Sequence, residues 1–534
     1  MANGTINHLP TLEEAAIYTP QQVVDLARDL TEQITALKHQ IDWFKRQLFG
    51  QKSERRLPDV PSEQLSLGDL FQTLPTKTPA PKPVAAHTRK AHKAKTDEGG
   101  ALPFFDADRV SVEVINVPNP ETQGLSANQY EVIAHKDTYR IAQRPGSYVV
   151  LHYRRPVIKR LDTQALSCPP APVGVIEGSR ADVSFIAGLM IDKLAYHLPL
   201  YRQHQRLLDA GFTLSRPWLT QLLAQGAALL EPIYEAQLAS IRSSRVKAMD
   251  ETPIKAGQAG AGKMKAAYFW PVYGEHDEVC FPYFESRRHE HVQAALGLNQ
   301  IEGAVLLSDG YAAYAEYAKK CGLTHAQCWA HTRRLFFEAQ QVEPEATAAA
   351  LELIGALYAV EEYIREHKLK GEKKRDYRLT HAKPLVEQFF AWVAQQFERQ
   401  GLLPRNPLTK ALAYARERRF GLEVYLTDPD VPIDTNHLER ALRAIPMGRK
   451  NWMFSWTELG AKQIGMMQSL IVTCRLHGVD PYDYLVDVLQ RVGRHPAKDV
   501  AELTPRLWKP LFASNPLRSD LNRTPALPSS TSLS

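Results

Sequence analysis

Cysteine is scarce in this sequence: five residues in 534, odd in number and widely scattered. That excludes a disulfide framework and points to a reducing compartment. No apolar run approaches the ~20 residues needed to cross a bilayer. Nor do the first residues show the charged-then-apolar pattern of a secretory signal. A cytoplasmic protein with no membrane partner is therefore the expectation. Charge of one sign is not in large excess, since the net charge is +6; this permits a nucleic-acid partner without requiring one. With 44% hydrophobic and 23% charged residues the chain has a globular composition, and it is too long for one ordinary domain.

What is present begins with a heptad seam. Val23, Ala27, Leu30, Ile34, Leu37, Ile41, Phe44 and Leu48 recur at spacings of four and three, as in a coiled coil, although one amphipathic helix packed on its own protein shows the same pattern. From Leu57 to about Pro103 periodicity disappears. The stretch "LPTKTPAPKPVAAHTRKAHKAKTDEGG" is rich in Pro and then in Lys and Arg, which suits a linker better than a core. Residues 106–180 carry short apolar runs such as "VSVEVINV" and "GSYVVLHYRRPVIKR" that predict strands. Beyond them a helix through Leu208, a turn at Gly211 and a second helix opening at Ser215 with Pro217 in its first turn suggest a helix-turn-helix, or any other αα-hairpin.

The chemistry begins after residue 240. "SRVKAMDET" predicts a buried strand delivering Asp250, and "AVLLSDGYAAYAEYA" a second one ending in Asp309. With "KAAYFWPVYG", "EVCFPYFES", "HEHVQAALG" and "LTHAQC" between and after them, the order is β-β-β-α-β-α-β-α, that of a ribonuclease-H-like fold. Asp at a strand end is often only a turn former. Two at matching ends are what a divalent-cation site needs. Asp434 and Glu439 in "VPIDTNHLERALRAIPMGRKNWMFSW" are the candidates for a third acid. Asn436 followed by Glu439 also fits a helix-capping arrangement that needs no metal. Arg440, Arg443, Arg449 and Lys450, interleaved with Trp452 and Trp456, form a basic and aromatic strip suited to phosphate contact and base stacking.

Cys321, His325, Cys328 and His331 are all zinc-ligand types crowded into one short stretch. His325 and Cys328, however, straddle a predicted strand-to-helix junction. A buried Cys328 and a hydrogen-bonded His331 bracing the acid-bearing strands is the alternative. Arg333 and Arg334 follow on the same helix, placed to face phosphate.

The blocks "MDET", "SDGYAAY", "CWAHTRRLFFEA" and "NHLERALRAIPMGRKNWMFSW", in that order, resemble the signature blocks of the insertion-sequence-66 transposases, and the resemblance spans roughly residues 15–510. It implies an Asp-Asp-Glu triad of Asp250, Asp309 and Glu439 acting as catalytic residues and as ligands for Mg²⁺, with Mn²⁺ able to substitute. The implied activity is cutting of the element ends and joining of the freed 3′-hydroxyl to target DNA. The family's motif covers Cys328 and His331 but not Cys321 or His325, so a brace is expected there rather than zinc. Arg333, Arg334, Arg440, Arg443, Arg449, Lys450 and Trp452 are the expected DNA contacts. The implied partners are DNA, a second protomer through the coiled coil and accessory proteins of the same element, and the implied location is a bacterial cytoplasm, at the nucleoid when DNA is bound.

The expected architecture is multidomain α/β. It comprises a coiled-coil helix (1–56), a linker (57–105), a β-rich module (106–180), a helix-turn-helix-like region (181–240), a ribonuclease-H-like core in two parts (241–338 and 431–495) around an all-helical insertion (339–430), and a tail (496–534). The 129 residues between Asp309 and Glu439 leave room for that insertion. One departure stands out. Val117 and Pro120 occupy positions where family members carry a Cys-x-x-Cys, and no cysteine occurs from residue 106 until Cys168. The module is expected to have kept its shape and lost its metal. Two rivals remain: a catalytically inactive DNA-binding repressor, and a nuclease for branched DNA.

Overall fold

A computed structural model describes residues 104–522, apart from 127, 145, 261, 299–300 and 399–402. The heptad seam and nearly all of the Pro/Lys-rich segment lie outside the described residues. The described chain is mixed α/β.

The alternating segment after Phe104 forms β1 (Val112–Asn116), β2 (Tyr130–Arg144), β3 (Ser147–Arg160) and β4 (Leu166–Ser167). β3 lies between a parallel β1 and an antiparallel β2, and β4 pairs with the end of β3. Ile115 and Val117 pack on Ala142, Val149, Leu151, Tyr153 and Leu521, a small apolar cluster separate from the main core. Asn119, two residues on, is buried and caps the short turn at Pro120 by accepting from the Glu121 N–H at 3.1 Å. At the positions of the expected Cys-x-x-Cys, Val117 packs on this cluster and Pro120 opens the capped turn.

Three helices follow: α1 (Val183–Leu194), α2 (Leu200–Asp209) and α3 (Arg216–Ser243). Gly211, at φ +94°, makes the turn between α2 and α3. Ser215 accepts from the Trp218 N–H at 3.3 Å and opens α3, with Pro217 in its first turn.

Two sheets come next. β5 (Val246–Met249), β8 (Val272–Gly274) and β9 (Val279–Cys280) meander antiparallel, and β11 (Val305–Ser308) and β12 (Thr324–Gln327) add in parallel on the other side of β5. The order is β12-β11-β5-β8-β9. A second sheet, β10-β7-β6, comprises β6 (Thr252–Gly260), β7 (Lys263–Phe269) and β10 (Tyr283–Phe284). The single strands expected in "KAAYFWPVYG" and "EVCFPYFES" are thus each divided between two sheets. The breaks fall at Pro271 and Pro282, which have no N–H to continue a ladder.

α4 (Glu290–Leu296) precedes β11, α5 (Ala312–Cys321) joins β11 to β12, and α6 (Trp329–Ala339) leaves β12. The elements of the next stretch, among its described residues, are all helical: α7 (Pro344–Glu366), α8 (Gly371–Tyr377), a π-helical turn (Arg378–Ala382), α9 (Lys383–Phe397), α10 (Pro407–Glu417) and α11 (Arg419–Thr427). The chain then returns through α12 (Asn436–Leu442) and α13 (Ala444–Trp452) to α14 (Glu458–Leu476), and ends in α15 (Pro481–Arg491) and α16 (Pro505–Phe512).

α14 is buried along most of its length because it covers the edge strand β9. Its hydroxyls satisfy the outward N–H groups of that edge: Ser469 accepts from Phe281 at 2.9 Å and Thr473 from Val279 at 3.2 Å. Gly465 permits the approach, since a Cβ there would lie 2.3 Å from the Phe281 carbonyl oxygen.

Candidate active site

Asp250 and Glu251 occupy the point where the chain leaves the five-stranded sheet at Met249 and enters the second sheet at Thr252. β5 and β11 are parallel neighbours with Ala248 opposite Leu307. Continuing that register by two residues sets Asp309 beside Asp250, one strand spacing away. Asp309 accepts from the Tyr311 N–H at 2.9 Å, which fixes the turn into α5.

The segment before α12 supplies the third side. Thr435 donates its N–H and its hydroxyl to Cys328 Sγ, both at 3.3 Å, and the Trp329 N–H donates to the Ile433 carbonyl at 3.1 Å. The start of α12 is thereby tied to the start of α6. Asp434, not Glu439, does the local capping: it accepts from the Asn436 N–H at 3.0 Å and from the Asn436 side-chain amide. Glu439 is free to point elsewhere. It faces His331, whose Nε2 lies 3.8 Å from its carboxylate.

Asp250, Glu251, Asp309, Glu439, His331, Arg287, Arg334, Leu442, Arg443 and Pro446 line one open cavity of about 400 Å³. The two lone strand-end acids and the helix acid are therefore brought together. Burial, reinforced by the charges of Glu251, Asp309 and Glu439, pushes the Asp250 carboxyl up to about 7. It accepts a hydrogen bond from the Glu251 N–H at 2.8 Å. Glu251 is raised by burial as well, but it is held by Arg287 and by the Tyr314 hydroxyl. Burial and then Arg334 hold His331 below the usual imidazole range, so its contact with Glu439 is not an ion pair at neutral pH.

Sequence reasoning singled out neither Glu251 with its partners Tyr314 and Arg287, nor the role of Asp434. The signal for Glu251 was its adjacency to Asp250 at a strand end, where successive side chains diverge and a sheet junction can bring both into one cleft.

The basic residues divide. Arg334 and Arg443 line the cavity. Arg333, Arg440 and Lys450 are exposed outside that lining, and Arg449 is bound to the Pro253 carbonyl on β6. Trp452 is half-buried over Gly448, whereas Trp456 is 62% exposed.

The crowded Cys/His stretch does not converge. Cys321 is buried at the end of α5, His325 lies 2.8 Å from the Ser308 hydroxyl, Cys328 accepts from Thr435, and His331 faces Glu439. Burial pushes the Cys328 thiol up to about 11, leaving it protonated at neutral pH. Among the described residues, no three His, Cys, Asp or Glu side chains close into a ready-made metal shell. No helix among them is long and apolar enough to cross a membrane.

The chain is similar to three proteins of Sinorhizobium fredii (strain NBRC 101917 / NGR234). "Uncharacterized protein y4hP" is 28% identical over 89% of each chain. "Uncharacterized protein y4jD" is 27% identical over 92% of this chain and 97% of its own length, and "Uncharacterized protein y4qI" 27% over 90% of each. The family description "Transposase C of IS166 homeodomain" matches residues 36–103, and "IS66 C-terminal element" matches residues 469–506. "Transposase IS66 family" matches residues 178–463, more than half of the sequence, and the chain belongs to that family.

Proposed function

We propose that this transposase cuts the ends of its insertion element and joins the freed 3′-hydroxyl to target DNA, with Asp250, Asp309 and Glu439 as the catalytic acids. One observation carries the reading: three carboxylates remote in sequence share one cavity, where burial, and then the charges of Glu251, Asp309 and Glu439, raise Asp250. The sheet order β12-β11-β5-β8-β9, with three antiparallel strands preceding two parallel ones, supports a ribonuclease-H-like core. The all-helical stretch between α6 and α12 supports an insertion into it.

The acids fit a hard divalent cation such as Mg²⁺, which takes one or two carboxylates and retains several waters, so a closed protein shell is not needed. When bound, such ions lower the pKa of the attacking water or hydroxyl and offset charge on the leaving oxygen. Asp250 and Asp309 are the ligands on the strand side and Glu439 the ligand on the helix side. Arg334 and Arg443 line the same cavity and hold the DNA backbone at the acids. Cys328 acts as a brace, through Thr435, on the segment carrying Glu439. His331, neutral and against Glu439, limits where that carboxylate can sit.

The test is Mg²⁺-dependent cleavage of the element's own end DNA by wild type and Glu439→Gln. Loss of cleavage by at least ~10³-fold, with folding and end binding retained, is the expected result. Retained cleavage removes Glu439 from the site. If wild type binds the ends and never cuts, the repressor reading replaces this one.

A further inference from the structure

α13 ends at Trp452, and the next residue, Met453, is a non-glycine held at φ +52°. A methionine in the left-handed region is strained, and such strain persists only where the surroundings enforce it. Here they do. The Ser455 N–H donates to the Lys255 carbonyl at 2.9 Å, and the Gly257 N–H donates to the Ser455 carbonyl at 3.1 Å. Both anchors are on β6, the strand that begins just after Asp250. At its other end the same segment puts Arg443 and Pro446 into the acidic cavity. The turn is therefore anchored on the strand that leaves the acid site, and α13 joins it to residues that line the cavity.

This turn exposes apolar bulk. Met447 is 53% exposed, Met453 66% and Trp456 62%, with the Trp456 ring 5.0 Å from Phe454 and edge-on to it. Exposed cations adjoin it: Lys255, whose carbonyl accepts from Ser455, Lys450, three residues before Met453, and Lys265. Lys265 is paired with Glu458 at 2.7 Å. An apolar tip on a strained turn inside a basic rim, next to a phosphodiester-cutting site, has the chemistry of a wedge: phosphates bind the rim, and the ring takes the place of a stacking neighbour.

We propose that Met453 and Trp456 form a wedge that unstacks a base pair of the bound DNA beside the scissile phosphate, with Trp456 as a positioning residue. This rests on the strand-cutting reading above. It also distinguishes two tryptophans that the sequence strip presents alike: Trp452 packs against its own helix, and Trp456 meets the base.

The experiment uses the full chain and duplexes bearing the element's terminal sequence, with 2-aminopurine placed in turn at each pair flanking the cleavage position. Wild type is expected to raise fluorescence at one position, and Trp456→Ala to abolish that rise while binding the duplex within about 3-fold. Its cleavage of fully paired ends falls by roughly 10-fold or more. Cleavage returns to near wild type when that pair is replaced by a mismatch, which needs no wedge. Trp456→Phe keeps most of the activity. Met453→Gly, which removes the apolar tip and fits φ +52° without strain, keeps the fold and loses part of the fluorescence rise. An equal loss on paired and mismatched ends makes Trp456 structural and overturns the proposal, as does an unchanged fluorescence rise in Trp456→Ala. A shift in oligomeric state with fluorescence unaffected overturns it in favour of a protein-contact patch. If wild type does not cut paired or mismatched ends, the failure belongs to the strand-cutting reading and not to the wedge.

Discussion

Two regions of this protein bury charge, and they do it in opposite ways. In the helical stretch, Arg378 is 0% exposed and sits in the π-helical turn. Glu361 accepts from it through both oxygens at 2.7 Å, the carbonyls of Tyr425, Val431 and Asp428 accept at 2.7, 3.0 and 3.2 Å, and the Tyr425 ring lies 5.0 Å beneath. Every side of the guanidinium is answered. In the cavity the balance is poorer: Asp250 shares it with Glu251, Asp309 and Glu439, and burial, then those charges, raise it to about 7. A buried charge with a closed set of partners is structure. Like charges crowded together on an open cleft store unfavourable energy that a cation can release, and that is the mark of a site.

The largest effect expected from this contrast is at the closed node. Arg378→Met leaves Glu361 without its counter-ion and three carbonyls without their donor. Denaturant unfolding should show a loss of ~3–5 kcal/mol. A loss under ~1 kcal/mol would mean that water already reaches the node, and the contrast would fail.

The cavity should respond with the opposite sign. Asp250 binds a proton in the folded chain up to about pH 7, whereas an unfolded aspartate releases it near pH ~4. Between those limits the native state holds more protons than the unfolded state. The stability of the metal-free protein therefore falls as pH rises through that window, and the penalty is fully present above it. The whole span corresponds to at most ~4 kcal/mol, less with relaxation and water access. Asp250→Asn in EDTA at pH 8 is thus expected to be more stable than wild type by roughly 1–3 kcal/mol, and the difference should vanish near pH 4. Mg²⁺ should raise the Tm of wild type more than that of the variant. A destabilised Asp250→Asn at pH 8 would show that the carboxylate is a structural partner after all.

The same contrast explains what could be read in advance. Asp250 and Asp309 were legible because short, fully buried strands announce themselves as apolar runs, and an acid just past such a run has nowhere to go but the sheet's end. Glu439 stayed ambiguous because spacing cannot tell a cap from a cavity acid; the bonds from Asn436 show that Asp434 does the capping, and Glu439 lines the cavity. Trp452 and Trp456 stand four residues apart in one strip of the sequence, which does not show that the helix stops between them at Met453. Arg378 left no trace in the sequence. Its partners come from α7, α11 and the turn that follows α11, and contacts that remote in the chain carry no local period. The second sheet was hidden for a related reason: prolines at 271 and 282 split what read as single strands, and which sheet each half joins is a tertiary choice.

The smallest expected effect tests the join between the two regions. Cys328 lies between β12 and α6 and accepts two hydrogen bonds from Thr435, the residue before α12. Cys328→Ser keeps an acceptor in nearly the same place and should cost about 1 kcal/mol or less. Cys328→Ala removes the acceptor and leaves two buried donors of Thr435 unanswered, so it should cost ~1–3 kcal/mol and lower cleavage by letting Glu439 drift. The ranking decides between roles. A brace predicts Ser milder than Ala, with the zinc content of the purified protein the same in all three forms. A zinc ligand predicts that Ser and Ala fail alike, because neither supplies a thiolate, and that zinc present in wild type is lost from both. The thiol, held protonated by its burial and already engaged by Thr435, argues for the first order.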